Sequence, residues 1–298
     1  MCATRSRVTG RVLAGSRRCS FDCQRRVGAE SPSKETRVER TGLAVTLSDG
    51  VLRVTLNRPD SLNSLDEVVL IGIAEVLDQA ATDPRVRAVR LGGAGRAFSS
   101  GGAIRAEDLA AASARPRADL IGAANRAVRA IAAFPHPAVA AVHGPAVGGG
   151  VSLALACDIV IASDAAYFML SATKIGLMPD CGASSLIAAS VGRTRAMRMA
   201  LLAERISAAE ALQWGLVSAV YPADSFDAEV DGLLATLVAG PAVAIRKTKE
   251  AINVASLAGL EAALEREKRG QSALLDSPDF VEGATAFQQR RLPRFTDS

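Results

Sequence analysis

Aromatic residues are scarce: two tyrosines, one tryptophan and eight phenylalanines amount to 4% of 298 residues. A hydrophobic content of 49% must therefore come chiefly from Ala, Val, Leu and Ile, which suits closely packed α/β layers rather than an aromatic-rich binding sheet. Over this length it supports a substantial core in one large domain, or a domain with an appendage. No clean apolar run is present. The one uncharged stretch near the about 20 residues a membrane span needs, Pro137 to Ala156, is broken by glycines, Pro145 and His143, so no membrane span is expected. The cysteines (Cys2, Cys19, Cys23, Cys157, Cys181) are odd in number and cluster near the start, giving neither a disulfide framework nor a metal-ligand spacing. A reducing compartment is expected, and no metal.

The formal net charge is +4, yet residues 1–29 alone hold Arg5, Arg7, Arg11, Arg17, Arg18, Arg25 and Arg26 against Asp22. Without that segment the remainder is slightly acidic, so no nucleic-acid-binding face is expected of the domain. Residues 1–40 lack apolar periodicity and read as a disordered basic extension. Their Arg-rich, acid-poor start resembles a mitochondrial transit peptide; the alternative is an extended or misassigned start in a bacterial protein. The corresponding locations are the mitochondrial matrix and the cytoplasm.

Residues 43–47 and 51–56 read as two strands joined at Ser48-Asp49-Gly50, and the ordered domain is expected to begin there. Asn63 or Ser64 can cap a helix whose apolar positions Leu65, Val69, Ile73 and Val76 or Leu77 recur at three- and four-residue spacing. A strand near Ala88 to Leu91, a helical stretch Asp119 to Ala133, strands Ala138 to Val142 and Ile159 to Ala162, and a helix before the last of these continue the alternation. This pattern predicts β-α-β crossover units and a largely parallel sheet over residues 41–225. Residues 226–298 read as a helical C-terminal region, with segments at 233–238, 243–254 and 257–268 and a break at Gly240-Pro241.

Two glycine loops follow predicted strands: Gly92-Gly93-Ala94-Gly95-Arg96-Ala97-Phe98-Ser99-Ser100-Gly101-Gly102-Ala103-Ile104, and His143-Gly144-Pro145-Ala146-Val147-Gly148-Gly149-Gly150-Val151-Ser152. The second runs into a helix and can present free N–H groups at the positive end of its dipole, so the two loops could aim two donors at one oxygen. Either loop alone is equally explained by tight turns and close packing. Neither is a dinucleotide or P-loop fingerprint.

In combination the motifs resemble the enoyl-CoA hydratase/isomerase (crotonase) family. They are Asn57-Arg58-Pro59 with Leu62-Asn63, Ala97-Phe98-Ser99-Ser100-Gly101-Gly102, Pro137 to Val142 running into Gly148-Gly149-Gly150, and Cys157-Asp158-Ile159, followed by Ile175-Gly176 with Pro179, Gly215-Leu216-Val217, and Phe287 with Arg290-Arg291, Pro293 and Phe295. The resemblance covers residues 41–296. It implies an α/β crotonase-like spiral of β-α-β units with helical C-terminal trimerisation, assembled as a homotrimer or a dimer of trimers. It also implies an acyl-CoA thioester substrate, with coenzyme A part of that substrate and no separate cofactor. The thioester oxygen would lie between the N–H groups of Gly102 and Gly149. Ser61, Leu62, Asn63, Ser100, Gly101, Ala103, Ile104 and Gly148 would border the coenzyme, and Arg290 and Arg291 would meet its phosphates.

Hydratases of this family carry glutamates at the positions of Ser152 and Ala172, so the pair that orients and deprotonates water is missing. Asp180 remains. An aspartate directly after this proline resembles the arrangement in ring-epoxyphenylacetyl-CoA isomerases and double-bond isomerases, where one acid shuttles a proton and burial raises its pKa. The alternative for Asp180 is a helix N-cap before Cys181-Gly182, and the two roles are compatible. Ser152 reads as a polar contact or a small packing residue, His136 and His143 as structural, Asp158 as a brace for the following strand, and Asp164 as a turn residue. An isomerase is therefore favoured. The alternatives are hydration or thioester hydrolysis using Glu107 or Asp108, or a catalytically reduced acyl-CoA-binding member. Asp66, Glu67, Glu75 and Asp78 on the first helix argue against an RNA role.

Overall fold

The computed structural model describes residues 36–103 and 115–296. Strand β1 (Thr36–Arg40) pairs antiparallel with β2 (Leu43–Ser48), and β2 with β3 (Val51–Leu56). The β2–β3 turn places Asp49 at φ 50° and Gly50 at φ 78°, the left-handed pair that a two-residue hairpin of matching twist requires. β4 (Ala88–Gly93), β5 (Ala138–Val142), β7 (Ile159–Ser163) and β10 (Ala219–Tyr221) extend the sheet in parallel, in the order β1-β2-β3-β4-β5-β7-β10. A second, three-stranded sheet holds β6 (Ala146–Val147), β8 (Tyr167–Met169) and β9 (Ile206–Ser207).

Helices α1 (Glu67–Ala80), α2 (Arg115–Ala133) and α3 (Gly149–Ala156) make the crossovers between parallel strands. α4 (Ala183–Leu202), kinked at Gly192, and α5 (Ala208–Trp214) lead to β10. Four helices follow: α6 (Phe226–Ala239), α7 (Ala242–Ser256), α8 (Leu260–Leu275) and α9 (Pro278–Gln288). All five residues of β5 are buried, because α1, α2 and α3 cover one sheet face and α6 covers the other through Phe226, Val230 and Leu234. This is the expected spiral of β-α-β turns. No single helix among the described residues is long and apolar enough to cross a membrane; α6 and α7 pass that test only as a pair bent by 107°.

Four local expectations are corrected. The ordered chain starts before Leu43, because residues 36–40 add an antiparallel strand along β2. Helix α1 is capped by Asp66, whose Oδ1 accepts from Val69 N at 3.1 Å, while Asn63 is turned inward to hold loop carbonyls. α9 was not anticipated, although Ser277 caps it and Pro278 occupies its first turn, a recognised start signal. Asp158 braces the preceding strand rather than the following one: Oδ2 accepts from Ala138 N at 2.7 Å and pairs with Lys249 Nζ at 2.8 Å.

That Lys249–Asp158 pair is nearly dry, with side-chain exposures of 8% and 16%, and Lys249 also donates to His136 O at 3.1 Å. It ties α7 to the starts of β5 and β7. Removing one partner strands a buried charge, so Lys249→Met should destabilise the fold by about 3–5 kcal/mol, and Asp158→Asn added to it should recover part of that loss. Urea unfolding of the two variants at neutral pH checks this.

Candidate active site

Three loops leave the carboxyl ends of β3, β4 and β5 and are stitched together by backbone groups. Ser99 N donates to Pro145 O at 3.0 Å, and Val147 N donates to Ser99 O at 2.9 Å. The Ser99 hydroxyl donates to Asn63 O at 2.8 Å and accepts from Gly101 N at 3.1 Å. Leu65 N in turn donates to Gly101 O, and Ser100 N to Leu62 O, both at 2.8 Å. Asn63, only 1% exposed, spans its own loop and the next: Nδ2 donates to Ala94 O and Ala97 O while Oδ1 accepts from Arg58 N.

Such close approach needs glycine at two places in particular. Gly101 has φ +83°, and a Cβ there would lie 2.6 Å from Val147 O. Gly148 has φ 52° with ψ −122°, a conformation essentially confined to glycine. The result is that Gly102 and Gly149 both line a cavity of about 820 Å3, and among the described residues neither N–H has an acceptor. Gly149 opens α3, so its N–H is one of those a helix leaves unpaired at its positive end.

Of the residues singled out from sequence, Ser61, Ser100, Gly101, Gly102, Ala103, Gly148, Gly149, Ala172 and Asp180 line this cavity. Leu65, Leu70, Ile121 and Ala124 form one apolar wall, and Leu177, Leu275 and Phe280 belong to another. Arg58, Lys174 and Arg205 contribute cationic side chains. Ile104, Glu107 and Asp108 lie outside the described residues. Leu62, Asn63, Ser152, Arg290 and Arg291 do not line the cavity, each for a visible reason. Leu62 (φ 56°) turns the chain after Pro59–Ser61, and Asn63 holds loop carbonyls. Ser152 is fully buried, and its hydroxyl donates to Asp180 O at 3.0 Å. Arg290 is exposed at φ 54° beyond α9. Arg291 is taken by Glu282 at 2.8 Å, and the guanidinium holds that carboxyl down at about 2.

Asp180 is the one carboxylate on the cavity wall among the described residues. It lines the cavity, and burial pushes its pKa above the ordinary carboxylate value against hydrogen bonds from Cys181, Gln271 and its own backbone N–H. Cys181 Sγ donates to Oδ1 at 3.2 Å, and Gln271 Nε2 donates to Oδ2 at 3.1 Å. The Cys181 thiol is itself pushed well up by burial and by the neighbouring carboxylate, which keeps it a neutral donor. The N-cap alternative for Asp180 is corrected: Gly182 occupies that position, and the free N–H groups of α4 at Gly182 and Ser184 are taken by Glu267 at 2.6 and 2.8 Å. The Asp180 side chain is left to the cavity.

Sequence reasoning missed Gln271 and Glu267. Both sit on the inward stripe of α8 with Leu260, Ala263 and Leu264, and a polar residue in an apolar helical stripe was the available signal. His143 bonds Gly95 O through Nε2 and, like His136, stays off the cavity. Asp164 accepts from Ala223 N in a turn. No group of three or more His, Cys, Asp or Glu among the described residues could hold a metal ion.

Residues 46–298 match the family model described as enoyl-CoA hydratase/isomerase. The chain is 37% identical over 251 residues to the 1,2-epoxyphenylacetyl-CoA isomerase of Escherichia coli K12, covering 83% of this chain and 95% of that one. It is 39% identical over 250 residues to a probable enoyl-CoA hydratase of Rhodobacter capsulatus, covering 84% and 96%. Among solved structures, an enoyl-CoA hydratase from Mycobacterium avium subsp. paratuberculosis K-10 superposes with a TM-score of 0.80 at 65% identity, covering 86% of this chain and 99% of that one. A match running through both glycine loops and the Asp180 turn to the C-terminus makes this chain a member of the enoyl-CoA hydratase/isomerase family.

Proposed function

We propose that the enzyme is an acyl-CoA isomerase in which Asp180 is the single acid and base and the N–H groups of Gly102 and Gly149 hold the thioester oxygen. The observation that carries this reading is the isolation of Asp180 as the cavity's carboxylate among the described residues. Hydration by this family's usual route needs two carboxylates on one water. Here Ser152 spends its hydroxyl on Asp180 O, and Ala172 offers a methyl group. A double-bond shift needs one proton taken and one returned. Asp180 removes a proton from C2 of a 3-enoyl-CoA, the released pair forms the C1–C2 double bond, and the carbonyl pair moves onto the thioester oxygen. The dienolate then collapses as C4 receives the proton back, leaving the double bond at C2–C3.

Two preorganised donors at that oxygen are worth the most while it carries charge, and losing one such donor typically costs about 2.7–4 kcal/mol of barrier. An acyl chain seated between the apolar walls would displace water, which strengthens both the donors and the base. Lys174 and Arg205 suit the coenzyme's phosphates better than Arg290 and Arg291, since they stand on the cavity wall, where Arg58 is already paired with Asp66. The relative named 1,2-epoxyphenylacetyl-CoA isomerase supports rearrangement chemistry. The relative 65% identical to this chain carries the name enoyl-CoA hydratase and favours a second reading, hydration, which would require a further acid beside Asp180. A trimer or dimer of trimers fits the exposed apolar side chains Leu201 and Leu202 on α4 and Val243, Ile252 and Val254 on α7. Light scattering should give three or six copies, and a monodisperse monomer would contradict the assembly.

With 3-enoyl-CoA, 2-enoyl-CoA and 1,2-epoxyphenylacetyl-CoA as substrates, isomerisation should fall by about 10²–10⁴-fold in Asp180→Asn with thioester affinity kept within a few-fold. Hydration surviving undiminished in that variant would place the catalytic acid elsewhere. The raised pKa of Asp180 also fixes two signs. The base works ionised, so kcat/KM should fall as pH drops through a value above the ordinary carboxylate pKa of about 3.9. A raised folded-state pKa favours the protonated fold, so the stability it contributes is lost as pH rises through that pKa. Asp180→Asn should therefore raise the melting temperature at neutral pH, and the gain should vanish on acidification; equal melting temperatures at neutral pH would contradict it.

A further inference from the structure

We infer that Gln271 is a positioning residue of this site: its side-chain amide orients the Asp180 carboxylate and keeps it ionised, a role resting on Asp180 being the base proposed above. Gln271 lies on α8, 91 residues beyond Asp180, and is 5% exposed. Its orientation is dictated by a backbone group. Met178 N–H can only donate, so it takes Oε1 at 3.1 Å, which turns the amide nitrogen toward Asp180 Oδ2. The Met178 side chain packs over Gly270, 2.5 Å from where a Cβ would stand, so the 177–181 turn rests directly against α8.

One helical turn earlier, Glu267 fixes the other end of that segment through Gly182 and Ser184. Met178 and Gly182, on either side of Asp180, are thus both anchored to α8, and only the Gln271 amide reaches from that helix to the carboxylate itself. An amide N–H cannot be given up at neutral pH, so it presents a donor in every state, and a donor favours carboxylate over carboxylic acid. The other oxygen accepts from the thiol of Cys181, the adjacent residue in the same turn. Glu267 stands behind the turn, and Arg58, Lys174, Arg205 and Tyr167 stand elsewhere on the cavity wall; none of them hydrogen-bonds to Asp180. Offsetting the burial of this carboxylate is therefore shared, first with the adjacent Cys181 and then with Gln271, the donor that comes from outside the turn.

Gln271→Glu tests this because it is isosteric and keeps the acceptor for Met178 N while replacing the donor with a carboxylate; Gln271→Leu removes both. With 3-enoyl-CoA, the acid limb of kcat/KM should move to higher pH in Gln271→Leu and further in Gln271→Glu. Below the limb, kcat/KM in Gln271→Glu should be lower by about tenfold or more, with KM within a few-fold. Difference infrared titration of the carboxyl against Asp180→Asn should show the same displacement without relying on turnover. Gln271→Glu coinciding with wild type in both measurements would overturn the inference. Isomerisation persisting in Asp180→Asn would instead remove the base assignment, and the infrared titration would still decide whether Gln271 governs that carboxyl.

Discussion

The structure turns on the seam at Ser99, where the loops after β3, β4 and β5 are joined into one backbone network. Ser99 uses its N–H, carbonyl and hydroxyl to reach Pro145, Val147, Asn63 and Gly101. Four bonds through one buried residue leave those loops little freedom to move independently. Gly101 and Gly148 make the approach sterically possible, and its by-product is a pair of N–H groups, at Gly102 and Gly149, with no acceptor among the described residues. Unpaired donors beside an apolar wall are costly unless they serve a ligand, which is why this seam, rather than either loop, marks the candidate site.

The opposite side of the cavity is organised by helix α8. Its inward stripe begins with leucine and alanine, and ends with Glu267 and Gln271. Those two polar residues accept the N–H groups of Gly182, Ser184 and Met178, so the turn carrying Asp180 is fastened on both sides of the carboxylate. Ser152 adds a third contact, from α3, to the Asp180 carbonyl. The backbone of that turn is thereby held from α8 and α3, and the Asp180 side chain itself by Cys181 and Gln271. This arrangement opposes the penalty of burying a carboxylate without removing it, and a carboxyl of raised pKa is the consequence.

The proposed reaction follows from what these two sides offer together. Charge developing on a thioester oxygen would meet fixed donors, and the proton displaced to produce it would meet one carboxylate. With Ser152 and Ala172 offering no carboxylate, the proposed reaction is a proton shuttle through Asp180 rather than activation of water by a pair of acids.

The sequence by itself determined the β-α-β alternation, the β2–β3 hairpin, the glycine loops and the candidate acid, because each is written in residues close together: period-two and period-three-to-four apolar spacing, Asp49-Gly50, glycine clusters, and the Pro179-Asp180 step. Strand β1 and helix α9 escaped notice because the first depends on a partner edge along β2 and the second on a short, mixed segment packing Phe280 and Ala284 against Ile175. What only the tertiary structure decided was the employment of polar side chains. The side chain of Asn63 became a loop brace instead of a helix cap, Arg291 a partner of Glu282, and Ser152 a support for Asp180, while Gln271 came in from 91 residues away to bond its carboxylate. A side chain's hydrogen-bond capacity is local, but the donor or acceptor that claims it is set by which backbones the fold brings within about 3 Å.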